Sequence, residues 1–320
     1  MSEATERLAT SLPQADDFVT SVLEGLSRRR KSLPCRFFYD AAGSALFEEI
    51  TRQPEYYPTR VEIAVLEANA TQMLEGESEE TVLVEFGSGS SIKTEILLRE
   101  LPELYAYAPV DISESALTHA RTRLTARFPR LNIRPAAADF SHPIELPIEL
   151  AKRSKLGFFP GSTIGNFSTA EATQLLQAMR GTLSPSGRLI IGVDLKKDVR
   201  QLVQAYNDAN GVTAAFNLNL LARINRELQG TFDLNSFRHA AIYEPFEGRI
   251  EMHLISSSDQ DVWVKGRRFR FRTGETIHTE NAYKYTIEEF HLMARSAGWT
   301  PQRVWTDELN LFSVHELLTP

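Results

Sequence analysis

The sequence predicts an α/β protein: a doubly wound, Rossmann-like sheet joined to a second, smaller α+β lobe. Three observations carry that prediction. Thr81-Val-Leu-Val-Glu-Phe86 is a short run of apolar and β-branched residues that enters Gly87-Ser-Gly-Ser90, a strand–turn–helix signature. Further buried-strand runs alternate with helical segments as far as residue 195, and several close on an acid. From 196 to 285 the alternation gives way to two helices and then short runs of period two.

Taken in order, the chain opens with a helix over Asp17–Arg28, which carries Phe18, Val19, Val22, Leu23 and Leu26 on one face. The basic run Arg28–Lys31 ends it at the negative end of its dipole. Residues 32–60 hold aromatic side chains punctuated by prolines, among them Tyr39, Phe47, Tyr56 and Tyr57. Such rings pack in a core by default, yet a segment preceding a nucleotide fold can also lie over its pocket. The next helix, Val61–Leu74, offers Val61, Ile63, Ala64, Leu66, Ala68 and Met73 to the sheet.

The strand from Thr81 then turns at Gly87, and a helix starts near Ser91 with free N–H groups behind the turn. Three positions after Gly89 stands Ile92, not glycine, so the dinucleotide fingerprint is incomplete and a dehydrogenase reading fails. A second strand, Tyr105–Val110, ends at Asp111, about 20 residues after the turn, where a ribose-binding acid belongs. A third, Asn132–Ala137, ends in Ala138-Asp139-Phe140, an acid beside a ring that suits an adenine's amine and face. Either acid, taken singly, reads as well as a solvated loop residue. The fourth strand, Lys155–Phe159, opens into Pro160-Gly-Ser-Thr-Ile-Gly-Asn166 at the ligand-binding end of the sheet. Asn166 there can orient a substrate amine or cap the helix over Thr169–Gly181. Gly187–Val193 is a fifth strand closing on Asp194.

Helices over Val199–Asn207 and Val212–Glu227 precede strands at Arg249–Leu254, Val262–Lys265 and Arg267–Arg272, which read as an antiparallel meander. A helix at Ile287–Ala297 and an antiparallel pair at Thr300–Trp305 and Asn310–Val314 complete the first sheet. The doubly wound domain is therefore assigned to 61–195 and 286–320, and the substrate-binding lobe to 8–60 and 196–285.

Composition narrows the partners. The 320 residues are 42% hydrophobic and 24% charged with a net charge of −7, so there is no basic footprint for nucleic acid and a small molecule fits better. Cys35 is the only cysteine, which rules out an internal disulfide framework, and the seven histidines lack metal spacing. No metal is expected, and His253 and His278 read as surface or packing residues. No apolar run reaches membrane-spanning length and the polar N-terminus is unlike a signal peptide, so a cytoplasmic monomer away from membranes is expected.

The motifs then converge. Glu85-Phe-Gly-Ser-Gly89 resembles the first motif of S-adenosylmethionine-dependent methyltransferases. Four longer stretches are Phe38-Tyr-Asp-Ala-Ala-Gly-Ser44, Pro54-Glu-Tyr-Tyr-Pro-Thr-Arg60, Gly161-Ser-Thr-Ile-Gly-Asn166 and Tyr206-Asn-Asp-Ala-Asn-Gly-Val-Thr-Ala-Ala-Phe216. With Glu227-Leu, Phe232-Asp-Leu and Arg249-Ile-Glu-Met252, in that order, the chain resembles the histidine-specific Nα-methyltransferase of ergothioneine biosynthesis. The resemblance implies S-adenosylmethionine as methyl donor and three successive methylations of the L-histidine α-amino group, giving the betaine hercynine. It implies that Gly87, Ser88, Lys93, Asp111, Asp139 and Phe140 hold the donor, with Tyr39 near its methionine end. Tyr56, Asn166 and Tyr206 would hold the substrate's amino and carboxylate groups, and Glu280 the imidazole, in a pocket shaped by Met252 and Phe47. Tyr39 and Asn166 are the implied catalytic pair, holding the amine by uncharged contacts that tolerate added methyls.

One position departs from the family pattern, in which a serine stands two residues after the glutamate. Here Thr279-Glu280-Asn281-Ala282 places Ala282 there. A lost neutral hydrogen bond is worth roughly 0.5–1.5 kcal/mol, and Glu280 alone can still pair with a protonated imidazole. Two other readings stay open. An α-N-methyltransferase of tryptophan or tyrosine is prompted by Ala282 and opposed by Glu280, whose carboxylate would be desolvated against an apolar ring. A non-catalytic sensor of the donor or of an amino acid is opposed by the complete set Tyr39, Tyr56, Asn166, Tyr206 and Glu280.

Overall fold

The computed structural model describes residues 15–88, 92–112 and 114–319. Gly89 to Ser91, the second half of the glycine turn, and residues 8–14 of the second lobe lie outside the described residues. The N-terminal arm holds α1 (Ala15–Ser27), β1 (Lys31–Ser32) and α2 (Ala41–Thr51), and leads into α3 (Tyr57–Met73). Next come β2 (Thr81–Phe86), α4 (Ile92–Glu100), β3 (Ala106–Asp111), α5 (Glu114–Arg127) and β4 (Ala136–Ala137). The alternation continues with α6 (Ile148–Ala151), β5 (Ser154–Phe159), α7 (Thr169–Leu183) and β6 (Arg188–Asp194). Two helices, α8 (Val199–Ala205) and α9 (Val212–Leu228), follow. Five strands come after them: β7 (Phe237–Glu244), β8 (Arg249–Ser256), β9 (Gln260–Val264), β10 (Arg267–Phe271) and β11 (Thr276–Tyr283). The chain closes with α10 (Ile287–Ser296), β12 (Thr300–Thr306) and β13 (Phe312–Leu318).

Seven strands form the main sheet in the order β12-β13-β6-β5-β2-β3-β4. The strands from β2 to β6 pair in parallel, while β13 runs antiparallel to both β6 and β12. This is the predicted doubly wound sheet. The strand order reverses between β2 and β5, so a ligand crevice opens at their carboxyl ends. All six residues of β2 are buried, because both faces are covered. Val82, Val84 and Phe86 pack towards α7 and α10, and Leu83 packs towards α3 and α4.

A separate core unites the N-terminal arm with the region after β6. Phe18, Val22, Leu26, Phe37 and Phe38 pack with Phe216, Leu220, Ile250, Met252 and Ala282. Its sheet has the order β1-β11-β8-β7, and β9 and β10 form a hairpin of their own. The expected simple meander is therefore corrected: β11 returns across the hairpin to lie against β8, and β1 pairs in parallel with β11. The end of the basic run, Lys31, sits in that short strand and does not simply trail the helix.

Other differences have local causes. α3 starts four residues earlier than Val61, because Pro58 fits the first turn, where a missing N–H costs nothing. Its buried stripe is Glu62, Val65, Leu66, Ala70 and Met73; Ala64 and Ala68 face outward. The third strand shrinks to Ala136–Ala137, since Pro135 has no N–H for the ladder and Ile133 makes only an isolated bridge to Tyr107. β13 starts at Phe312 because the Asp307 carboxylate holds the preceding turn, accepting from the N–H groups of Leu309, Leu311 and Phe312. His253 and His278 face each other across β8 and β11 with ring centroids 5.2 Å apart, a packed pair away from the open surface. Among the described residues no helix is long and apolar enough to cross a membrane.

Candidate active site

The residues predicted to hold the donor gather at the carboxyl ends of β2, β3 and β4, which lie side by side. Gly87 turns there with φ +74°, and its N–H donates to the Val110 carbonyl at 2.8 Å. A Cβ on Gly87 would stand 3.7 Å from the Phe140 ring, which itself packs edge-on to Phe86 and Phe159. Asp111 is half-buried at the end of β3; Asp139 is exposed and accepts from the Ser141 N–H at 2.9 Å. An aromatic face, an accessible glycine backbone and two acids on adjacent strand ends suit an adenosyl group, so the residues present fit S-adenosylmethionine.

Two buried acids brace this edge. Glu85 accepts from the Thr94 hydroxyl at 2.6 Å and from the Tyr107 hydroxyl. Burial pushes its carboxyl up to about 7, although both hydrogen bonds oppose the shift. Glu62 of α3 accepts from the Gly161 N–H at 2.8 Å and pairs with Lys93. Lys93 is thus engaged with Glu62, joining α3, α4 and the loop after β5.

The aromatic residues predicted to hold the substrate form a wall. Tyr39 lies 5.7 Å from Phe47, Phe47 lies 6.2 Å from Tyr56, and Tyr56 lies 6.1 Å from Tyr206, each pair edge to face. Phe216, quoted in the sequence only as the end of a motif, packs behind Tyr39 and Phe47. Local chemistry sets each ring in place. After Tyr39, the Asp40 carboxylate caps α2 by accepting from the Gly43 N–H at 2.7 Å, and it also holds Asn219 and Arg226 of α9. Gly43 permits this approach, since a Cβ there would collide with the Phe38 carbonyl oxygen. Arg60 donates to the carbonyls of Gln53, Pro54 and Tyr56, fixing the loop that presents Tyr56. Asp208 caps α9 through the Val212 and Thr213 N–H groups, so that Tyr206 stands at the end of α8.

Glu280 enters from β11 by way of a β-bulge. The register jumps between His278 and Glu280, leaving Thr279 as the extra residue. The Thr279 hydroxyl donates to Asn217 Oδ1 at 2.8 Å, and the Asn217 amide donates to His239 Nδ1 at 2.9 Å. His239 Nδ1 is therefore the acceptor, and its Nε2–H donates to the Tyr206 carbonyl at 2.8 Å. Burial holds the His239 pKa below its ordinary value, as this neutral tautomer requires. Glu280 sits opposite Met252, and Ala282, buried on the same strand, opposite Ile250.

The polar tips of Tyr39, Tyr56, Asn166 and Glu280 make no hydrogen bond or ion pair among the described residues. Burial raises the Tyr39 and Tyr56 hydroxyls well above their usual range, and the Glu280 charge raises both further. Tyr39 is nevertheless 41% exposed, as a ring on the wall of a cleft is: surrounded by protein yet open to solvent. Burial also pushes Glu280 up to about 7, with Lys284 pulling it back down. Asn166 does not cap α7; Ser168 does, in a capping box with Glu171, which leaves the Asn166 amide available. A Cβ on the preceding Gly165 would come within 2.7 Å of the Tyr283 carbonyl oxygen, so the turn carrying Asn166 rests on the end of β11.

One cluster was not found by sequence reasoning. The buried Asp194 carboxylate accepts from the Tyr57 hydroxyl at 2.8 Å and pairs with Lys197 and, at 2.7 Å, with Lys284. Lys284 also donates to the Tyr206 hydroxyl at 2.9 Å. Burial works to raise Asp194, but the two lysines outweigh it and hold the carboxyl below its ordinary value. An acid closing a strand at the ligand edge was the one available signal; Lys197 is three residues away, but Tyr57 and Lys284 come from distant segments.

Comparison with known proteins gives the family and the fold. A family model described as "histidine-specific methyltransferase, SAM-dependent" matches residues 18–319. The histidine N-alpha-methyltransferase of Mycolicibacterium smegmatis is 40% identical over 298 residues, covering 92% of each chain. That of Mycobacterium tuberculosis is 40% identical over 299 residues, again covering 92% of each. In fold, the chain is similar to an S-adenosylmethionine-dependent methyltransferase from Clostridium acetobutylicum, with TM-score 0.50 at 12% identity over 85% of this chain and 97% of that one.

Proposed function

The chain belongs to the histidine-specific, S-adenosylmethionine-dependent methyltransferases, and on that premise we propose that it adds three methyl groups to the α-amine of L-histidine. The product is then hercynine, and the reaction the first step of ergothioneine biosynthesis. The observation that supports this reading best is a set of polar tips without a partner among the described residues: Tyr39 and Tyr56 on the aromatic wall, Glu280 close enough for its charge to act on both, and Asn166 on the turn that rests on the end of β11. Tyr39 is exposed, and Asn166 and Glu280 are half-buried, so these unpaired tips stand where a ligand can reach them.

The roles follow from chemistry. S-adenosylmethionine supplies, when bound, a methyl carried on a sulfonium. Gly87, Ser88, Asp111, Asp139 and Phe140 hold its adenosyl end, and Lys93, through Glu62, braces the loop at Gly161. Lobe 61–195 with 286–320 is the donor half, and the lobe from the N-terminal arm and 196–285 selects the amino acid. Glu280 binds the imidazole, with Met252 and Phe47 shaping its pocket and Ala282 forming a small apolar floor. Tyr56, Asn166 and Tyr206 hold the amino and carboxylate groups. Tyr39 and Asn166 present only uncharged contacts to the amine, so its lone pair can point at the methyl. The first two additions leave protons on the nitrogen, which pass to water before the lone pair acts again. The third leaves none.

Mass spectrometry of turnover tests this reading. With L-histidine and the donor, the product should carry three added methyls, and isolated mono- and dimethylhistidine should be converted onward. Calorimetry in the presence of S-adenosylhomocysteine should show L-histidine binding in preference to L-tryptophan or L-tyrosine. Accumulation of a monomethyl product, or preference for tryptophan, would defeat it.

A further inference from the structure

We propose that Lys284 is a positioning residue for the substrate carboxylate: it fixes the Tyr206 hydroxyl as a hydrogen-bond donor into the cleft and supplies the positive charge beneath it. The inference rests on the reading that Tyr206 faces the polar end of an amino acid. Lys284 is essentially inaccessible, with its side chain 1% exposed, and it touches two groups, the Asp194 carboxylate at 2.7 Å and the Tyr206 hydroxyl at 2.9 Å. An ammonium has donors only, so the Tyr206 oxygen must accept here. Its own proton is then free to be given away, and no acceptor for it exists among the described residues. Of the two polar groups on the substrate's α-carbon, the reactive amine must keep its lone pair for the methyl. The carboxylate is left as the acceptor.

Charge gives an independent argument. Asp194 is shared by two cations, Lys197 and Lys284, and Tyr57 adds only a neutral donor. In direct contact, two ammonium groups share one carboxylate, and the other acids that act on them, Glu280 on Lys284 and Asp307 on Lys197, make no ion pair with either. A bound carboxylate one hydroxyl away would offset the second ammonium. Placement agrees: Lys284 comes directly after the last residue of β11, two residues beyond Ala282 and four beyond Glu280. Four residues of strand span roughly 13 Å. Glu280 then marks the imidazole end of the pocket and Lys284, through Tyr206, the carboxylate end.

The test is a double-mutant cycle on the full chain, with Lys284→Met, Tyr206→Phe and the pair together. L-histidine affinity is read by calorimetry with S-adenosylhomocysteine present. Lys284→Met should weaken histidine roughly ten- to hundredfold, the range of a hydrogen bond to a charged group. It should raise KM far more than it lowers kcat and leave S-adenosylhomocysteine affinity unchanged. In the Tyr206→Phe background, adding Lys284→Met should cost clearly less than it does in the wild type, since only the charge is then left to lose. Histamine, which lacks the carboxylate, should bind both proteins alike. If the two single effects multiply in the pair, or if kcat falls with KM unmoved, the assignment is overturned. Should Lys284→Met fail to bind S-adenosylhomocysteine, Lys284→Gln, which keeps a donor, replaces it in the same cycle. A wild-type protein that binds no histidine would instead refute the substrate reading itself.

Discussion

At the scale of single residues, Glu280 is the side chain whose chemistry is most exposed to test. Its carboxyl is raised from 4.5 to about 7 because burial disfavours its charge. A carboxyl that holds its proton more tightly in the folded state stabilises the fold at low pH, and that contribution is lost as pH rises from 4.5 through about 7. Glu280→Gln should therefore gain on the wild type in melting temperature as pH rises across that window, with no relative gain below it. Scanning calorimetry from pH 4.5 to 8 would show it; parallel curves would mean that Glu280 is no longer strained when ionised. Glu85 titrates in the same window but is common to both proteins, so the difference isolates Glu280. The same variant should weaken L-histidine roughly tenfold or more, because a charge-assisted bond to the imidazole is lost.

At the scale of elements, the bulge in β11 matters more than the strand. It is held by Thr279 on Asn217, and the chain of bonds runs on through His239 to the Tyr206 carbonyl. Asn217→Ala would remove the bonds to Thr279, His239 and the His253 carbonyl, with Thr279 still able to donate to the Met252 carbonyl, costing about 1–3 kcal/mol of unfolding free energy. It should also reduce histidine affinity while S-adenosylhomocysteine binds as before, since the donor edge is built from other strands. Denaturant unfolding and calorimetry on one preparation would decide. Equal losses for both ligands would mean that the network supports the whole molecule and not the acceptor pocket.

At the scale of the whole molecule, two cores meet along the carboxyl edge of one sheet. Ligand binding to the folded form raises stability by mass action, about 2.7 kcal/mol at a hundred times Kd. S-adenosylhomocysteine should supply that increment to the wild type and to Glu280→Gln alike. L-histidine, at concentrations saturating for the wild type, should add a second increment to the wild type and little to the variant. Thermal melts with each ligand and with both would measure it. A variant that loses the first increment as well would show that the two halves of the site are not separable.

The strands β2, β5 and β6 were legible because a strand buried on both faces needs an unbroken apolar run, and such a run is local. β8 was legible because its buried and open positions alternate throughout its length. The order of the motifs pointed to Tyr39, Tyr56, Asn166, Tyr206 and Glu280, and their chemistry to a cleft for an amino acid. α2 was missed although Asp40, its cap, stands in plain view three residues before Gly43. β7 and β11 were missed because their burial follows no clean alternation: β7 is covered unevenly, and β11 shifts phase at Thr279. Nothing local marks which neighbour a strand will have, so the bulge that aims Glu280 was decided only by pairing with β8. Nor could Lys284 be distinguished from any other lysine. Its meaning arises where the ends of β6 and β11 bring Asp194 and Tyr206 within reach of one ammonium, and contacts between segments so far apart in the chain exist only in the folded state.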